Sequence, residues 1–144
     1  MSNRVNDAIG MFKEGFVCSQ AVLAAYCDMY GLEKDFALRI GNGFGGGIAR
    51  KQEICGAVSG AIMLIGLKYG KIESDDSAAH EKTYKMIDCF CKKFIERNNS
   101  LNCYELLGCN LSIANEKGLF ATLCKKYVSD SAELIEELLE EEKE

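Results

Sequence analysis

A chain of 144 residues is long enough for one domain with one sizeable core, and its 48% hydrophobic and 27% charged residues are those of a globular protein, not a disordered one. A net charge of −5 without any basic block argues against binding to a nucleic-acid backbone. The longest mainly apolar run, residues 55–67, falls short of the ~20 residues that a bilayer requires, and the N-terminal stretch has no apolar core behind a basic start, so neither a membrane span nor a secretory signal is expected.

Residues 5–14 read as a short helix with Val5, Ala8, Ile9 and Phe12 on one face, ended by Gly15. Residues 19–30 give an alanine-rich second helix with Gly31 as its left-handed cap, and residues 33–40 a third. A glycine loop follows at 41–47. Residues 56–69 form the most apolar helix, and a helix apolar nearly all round belongs at the centre of a bundle; Gly70 is its expected cap. Residues 77–97 form a long fifth helix whose core stripe is read as Tyr84, Ile87, Cys91, Phe94 and Ile95. Asn98, Asn99 and Ser100 close it. One or two turns are expected at 101–108, a helix at 116–128 around Cys124, and a last amphipathic helix at 130–142. That last helix turns Ala132, Ile135, Leu138 and Leu139 inward, and Asp130 and Glu133 have capping-box spacing. Proline is absent, and no alternating pattern of useful length suggests a strand. The expected fold is all-α: a single-domain multi-helix bundle over residues 1–144, with a central apolar helix following a glycine-rich loop.

Eight cysteines carry the chemistry: Cys18, Cys27, Cys55, Cys89, Cys91, Cys103, Cys109 and Cys124. Without an export signal, and with a core that needs no staples, they suggest a thiol redox or metal site rather than a disulfide framework. Helix geometry removes some pairs. Cys18 and Cys27, nine residues apart, lie about 180° around one helix and roughly 13 Å along it. Cys89 and Cys91, two apart, point about 200° from each other; Cys91 is read as packing and Cys89 as incidental. The others stand mostly at element boundaries. Cys55 opens the central helix behind Arg50 and Lys51, where the macrodipole and two cations favour a thiolate, so it is the leading nucleophile on local physics. Gly56 and Gly60, and Ala57 and Ala61, are spaced for close approach of another backbone.

Other motifs fail in context. Gly41, Gly43 and Gly46 match G-x-G-x-x-G, but the preceding segment reads as helix, so no dinucleotide site is expected; the loop is read as a sharp turn that delivers Cys55 to a neighbouring helix. His80, the single histidine, sits in a surface-like stretch, which argues against a mixed Cys/His zinc site or a Cys–His hydrolase.

Together these residues resemble the C_GCAxxG_C_C family of redox-active proteins, found mainly in anaerobic bacteria and archaea. The matching pieces are Cys18 in Phe16-Val-Cys-Ser-Gln-Ala-Val-Leu23, Phe44-Gly-Gly-Gly-Ile-Ala-Arg50, Cys55-Gly-Ala-Val-Ser-Gly-Ala-Ile62, Cys103 in Asn102-Cys-Tyr-Glu-Leu-Leu-Gly108, and Cys124, over about residues 12–128. Two positions depart from the pattern in the family's name: Ile54 stands where it shows glycine, and Gly56 follows Cys55, with the alanine one place later at Ala57. The resemblance implies a helical fold and a redox role without naming a substrate. The absence of C-x-x-C-H means that no covalent haem is expected.

The resulting expectation is a cytoplasmic thiol oxidoreductase or electron-transfer component with an unidentified redox partner, in which Cys55 attacks and Cys18, Cys103 or Cys124 resolves. The alternative is a metal-binding protein holding an iron–sulfur cluster or zinc on Cys18, Cys55, Cys103 and Cys124, with Cys109 able to replace one ligand. A third reading is a non-catalytic helical scaffold. The apolar central helix and the amphipathic C-terminal helix also suggest a homodimer.

Overall fold

The computed structural model describes residues 2–141. Helix α1 (Asn3–Glu14) starts at Ser2, whose side chain accepts the Val5 N–H, and stops at Gly15 with φ 113°. Helix α2 (Cys18–Tyr26) tightens into a 3-10 turn, Cys27–Tyr30, before the left-handed Gly31, so the expected second helix is one α segment with a narrowed last turn. Helix α3 (Lys34–Asn42) runs into the glycine segment, which adds a single turn, α4 (Gly45–Ile48). Helix α5 (Gly56–Tyr69) has the expected bounds. Gly70 ends it in extended rather than left-handed backbone, its N–H donating to the Gly66 carbonyl at 2.8 Å.

The long helix α6 (Ser77–Asn98) is capped by the Asp76 carboxylate and closed by Asn99 at φ 73°. Its buried stripe is Met86, Phe90 and Phe94, spaced four apart. Tyr84 and Ile95, expected inside, are 61% and 40% exposed, and Ile87 and Cys91 are half-buried at the edge of the stripe. Short helices α7 (Cys103–Leu107) and α8 (Leu111–Glu116) each start at an asparagine, Asn102 and Asn110, whose side-chain oxygen accepts a backbone N–H. A π turn, Phe120–Cys124, then feeds directly into α9 (Lys125–Glu141). The expected break before residue 130 is absent, because residues 119–141 contain neither glycine nor proline. Asp130 and Glu133 lie within α9, where both pair with Arg97, at 3.3 and 3.2 Å, instead of capping. Glu142 lies outside the described residues.

Helix α5 is central, packed against α2, α6 and α9. Val58, Leu64 and Ile65 are wholly buried, each side chain contributing about 1.5–3 kcal/mol. Small residues let α2 come close: a Cβ on Gly60 would lie 2.9 Å from the Ser19 carbonyl oxygen. Hydroxyls tie α9 to the same core, Ser131 donating to the Ala57 carbonyl at 2.7 Å and Tyr26 to that of Ala132 at 3.3 Å. A second, smaller apolar cluster joins Cys103, Leu107 and Ala114 beneath Phe120 and Cys124. Among the described residues there is no strand; one antiparallel bridge pairs Ile54 with Asn102, and no helix is long and apolar enough to cross a membrane.

Candidate thiol site

Cys18 is the first residue of α2, and polar side chains of that first turn fix it to α3. The Val17 N–H donates to the Gln20 side chain at 3.0 Å, which in turn donates to the Leu38 carbonyl at 2.9 Å, while the Ser19 hydroxyl donates to the Gly41 carbonyl at 2.6 Å. Cys55 is the N-cap of α5. The bridge at Ile54 brings Cys103 alongside it in the chain: the Cys55 N–H donates to the Leu101 carbonyl at 2.8 Å and the Cys103 N–H to that of Glu53 at 2.6 Å. Cys124 closes the π turn. All four line one cavity of about 880 Å³, whose wall is drawn from both apolar clusters.

Between α3 and Cys55 the backbone turns left-handed. Gly46, Gly47, Ile48, Ala49 and Arg50 all have φ between 47° and 69°, and Gln52 follows at 54°. Left-handed helix costs about 1–2 kcal/mol per non-glycine residue, so a run of this kind persists only where its surroundings hold it. The hydrogen bonds that hold it run from the Gln52 N–H to the Gly46 carbonyl (3.0 Å) and from the Glu53 N–H to the Gly47 carbonyl (2.8 Å). Packing supplies the rest: a Cβ on Gly45 would lie 2.7 Å from Val17, and one on Gly47 would lie 2.7 Å from the Cys103 Cβ. The turn also aims the Gly46 N–H at the Cys18 sulfur. The glycine run announces a tight turn in the sequence; the left-handed conformation of Ile48, Ala49 and Arg50 carries no residue-type signal, since these residues disfavour it.

Cys18 and Cys55 meet where the start of α2 packs against the start of α5, the Cys18 sulfur lying against Gly56, and their interaction moves their acidities in opposite directions. Cys18 is lowered to about 7, first by the hydrogen bond from Cys55 and then by backbone N–H groups of Gly46, Ser19 and Cys18 itself, against the opposing effect of burial. Cys55 is raised well above the ordinary thiol value because it donates to Cys18 and is buried beside that negative charge; the N–H groups of Ala57 and Val58 do not compensate. The balance at this pair thus favours charge on Cys18, whereas the sequence points to Cys55. Arg50 and Lys51, expected to favour a Cys55 thiolate, are exposed. Burial raises Cys103 to about 11 and Cys124 to about 12, with the neighbouring Cys18 adding to both.

The remaining cysteines stand apart. Cys27 is buried in the main core, and Cys89 and Cys91 are half-buried on α6. Cys109 donates to the Leu107 carbonyl at 3.6 Å and is not part of the cavity wall. His80 packs at a tilt against Tyr84, with ring centroids 4.2 Å apart, and is not among the residues that line the cavity. A zinc or cluster site needs three or four donors converging on one point. Among the described residues no three Cys, His, Asp or Glu side chains converge in that way.

No curated protein and no solved structure matches the chain. Residues 16–138, nearly the whole chain, match the family model described as "Putative redox-active protein (C_GCAxxG_C_C)". That span includes Cys18, Cys55, Cys103 and Cys124, and the chain belongs to the C_GCAxxG_C_C family.

Proposed function

We propose that the protein is a dithiol–disulfide oxidoreductase in which Cys18 attacks and Cys55 resolves. The observation that carries this reading is the convergence of two thiols in the wall of one cavity: the Cys18 sulfur lies against Gly56, the residue that follows Cys55. A thiol whose pKa lies near ambient pH is the most effective attacking group, because thiolate fraction and intrinsic nucleophilicity are then balanced.

The chemistry balances without a cofactor. The Cys18 thiolate attacks one sulfur of a substrate disulfide; the substrate S–S bond breaks, a Cys18–substrate disulfide forms, and the departing thiolate takes a proton from water. Cys55, whose proton no longer faces a thiolate acceptor, loses it to solvent and attacks the Cys18 sulfur. The second substrate thiol leaves, and the protein holds a Cys18–Cys55 disulfide. Two protein thiols are oxidised and one disulfide is reduced to two thiols. A dithiol reductant returns the protein by the reverse exchange. Cys103 and Cys124, with raised pKa values, stay protonated at neutral pH and do not compete as nucleophiles. Such a site works in a compartment that keeps thiols reduced, which is the cytoplasmic setting proposed for this chain.

Equilibrating the protein in dithiol–disulfide buffers of graded potential, with free thiols counted at each point, tests the reading. A single two-electron transition is expected, lost in both Cys18→Ser and Cys55→Ser. A transition that survives both substitutions, or none in the wild type, refutes it.

A further inference from the structure

The cavity wall has a charge opposite to that of the chain. Acidic residues outnumber basic ones 22 to 17 overall. The residues lining the cavity nevertheless include Lys13, Arg50 and Lys125 and no aspartate or glutamate. Three separate elements supply them: α1, the left-handed segment and the first turn of α9. None of the three forms an ion pair among the described residues, whereas Arg4, Lys92, Arg97 and Lys126 do. Arg50 joins this wall from the left-handed segment (φ 69° at Arg50 itself), so the strained segment presents a cation to the cavity.

The rest of the wall is apolar and aromatic: Phe12, Phe16, Leu106, Leu111 and Phe120. At about 880 Å³ the space is that of a small-molecule pocket, which in general binds an apolar body and orients it with a few polar groups. Low-dielectric walls around unpaired cations concentrate anions even on a protein of net negative charge.

We propose that the substrate is a small anionic disulfide with an apolar, aromatic-sized body, its acidic groups held by Lys13, Arg50 and Lys125 and its S–S bond presented to Cys18. This rests on the dithiol reading and adds the class of molecule on which that dithiol acts. Electrons and atoms follow the exchange already written: the anionic disulfide gains two electrons and two protons and leaves as two anionic thiols, while Cys18 and Cys55 become a disulfide.

The test compares two aryl disulfides on the fully reduced protein in single-turnover mixing: dianionic dithiobis(nitrobenzoate) and neutral dithiodipyridine. The ratio of their rates is divided by the same ratio for mercaptoethanol, which removes their intrinsic difference. The expected normalised preference for the anion is about tenfold, the low end of the range for charge-lined clefts, falling towards unity at high salt and in Lys13→Gln/Arg50→Gln/Lys125→Gln. The ratio discounts any change in the Cys18 thiolate itself, since that affects both probes alike. Should the triple variant not fold, Lys13→Gln alone and the salt dependence of the wild type carry the comparison. A normalised ratio at or below one, the sign that the net charge of −5 would impose, overturns the inference and leaves the dithiol reading standing. Failure of both probes to react at Cys18 overturns both.

Discussion

The sulfur of Cys18 occupies the space into which a side chain at Gly56 would grow: a Cβ at that position would collide with it, and would also lie 2.9 Å from the Phe44 carbonyl oxygen. The residue after Cys55 is thus glycine for a reason that concerns Cys18. Only without a side chain there can the start of α2 pack this closely against the start of α5 and bring Cys18 beside Cys55. Gly56→Ala is expected to displace the Cys18 sulfur at an overpacking cost of about 1–3 kcal/mol. Chemical denaturation measures that loss, and slowed alkylation of Cys18 at neutral pH reports the displaced sulfur; a variant with wild-type stability and reactivity would show that the helices have room to spare.

The alkylation rate of Cys18 should follow its ionisation. Thiolate is the reactive form, so the rate should fall about tenfold per pH unit below the midpoint near 7 and level off above it. The largest contribution to the lowered value is the hydrogen bond from Cys55. Cys55→Ala removes that donor, and because a hydrogen bond to a charged group contributes about 1.5–3 kcal/mol, the midpoint should rise by about one to two units. Iodoacetamide labelling read by peptide mass across pH measures both. An unshifted midpoint in Cys55→Ala would mean that the backbone N–H groups alone hold the thiolate.

Strain in the left-handed segment has its own signature. Ala49 sits at φ 47° and ψ 46°, where glycine meets no Cβ penalty. Ala49→Gly removes about 1–2 kcal/mol of strain and adds about 0.4–1 kcal/mol of unfolded-state entropy, so a net gain of about 0.5–1 kcal/mol is expected. Gly47→Ala goes the other way, since its Cβ would meet the Glu53 nitrogen at 2.6 Å and the Cys103 Cβ at 2.7 Å. Thermal unfolding of the two variants should move in opposite directions; a destabilised Ala49→Gly would contradict the account of the strain.

A buried hydroxyl holds the site from the side of α9. Tyr127, buried, donates to the Leu106 carbonyl at 2.7 Å, linking the helix that follows Cys124 to the helix that starts at Cys103. Tyr127→Phe leaves that carbonyl without this donor and should lower stability by about 1 kcal/mol, measured by urea unfolding with an unchanged slope. No loss would mean that the link contributes nothing to stability.

Periodicity and composition made much of this architecture legible. The α5 bounds, the left-handed Gly15 and Gly31, and the central place of the apolar helix all follow from local chemistry that the fold leaves intact. The α6 stripe was misjudged because its half-apolar surface allows two registers, and the one built on Met86, Phe90 and Phe94 wins by filling the core with two stacked rings 6.2 Å apart. The four cysteines are visible as residues at element boundaries. Which of them the fold favours as thiolate is not, because that depends on how closely Cys18 and Cys55 approach each other, a product of tertiary packing. Local reasoning about the N-terminus of α5 favours Cys55, whereas burial beside Cys18 acts against its ionisation. Likewise Arg50, read as a neighbour of Cys55 in sequence, contributes through the cavity wall to which the left-handed turn carries it.

The most direct measurement is the disulfide map of the protein after one equivalent of a disulfide oxidant, with remaining thiols blocked by acid quench before digestion. The account predicts a single new linkage between Cys18 and Cys55, with Cys103 and Cys124 recovered as blocked thiols. A linkage joining Cys103 to Cys124, or Cys18 to either of them, in place of the Cys18–Cys55 bond would contradict it.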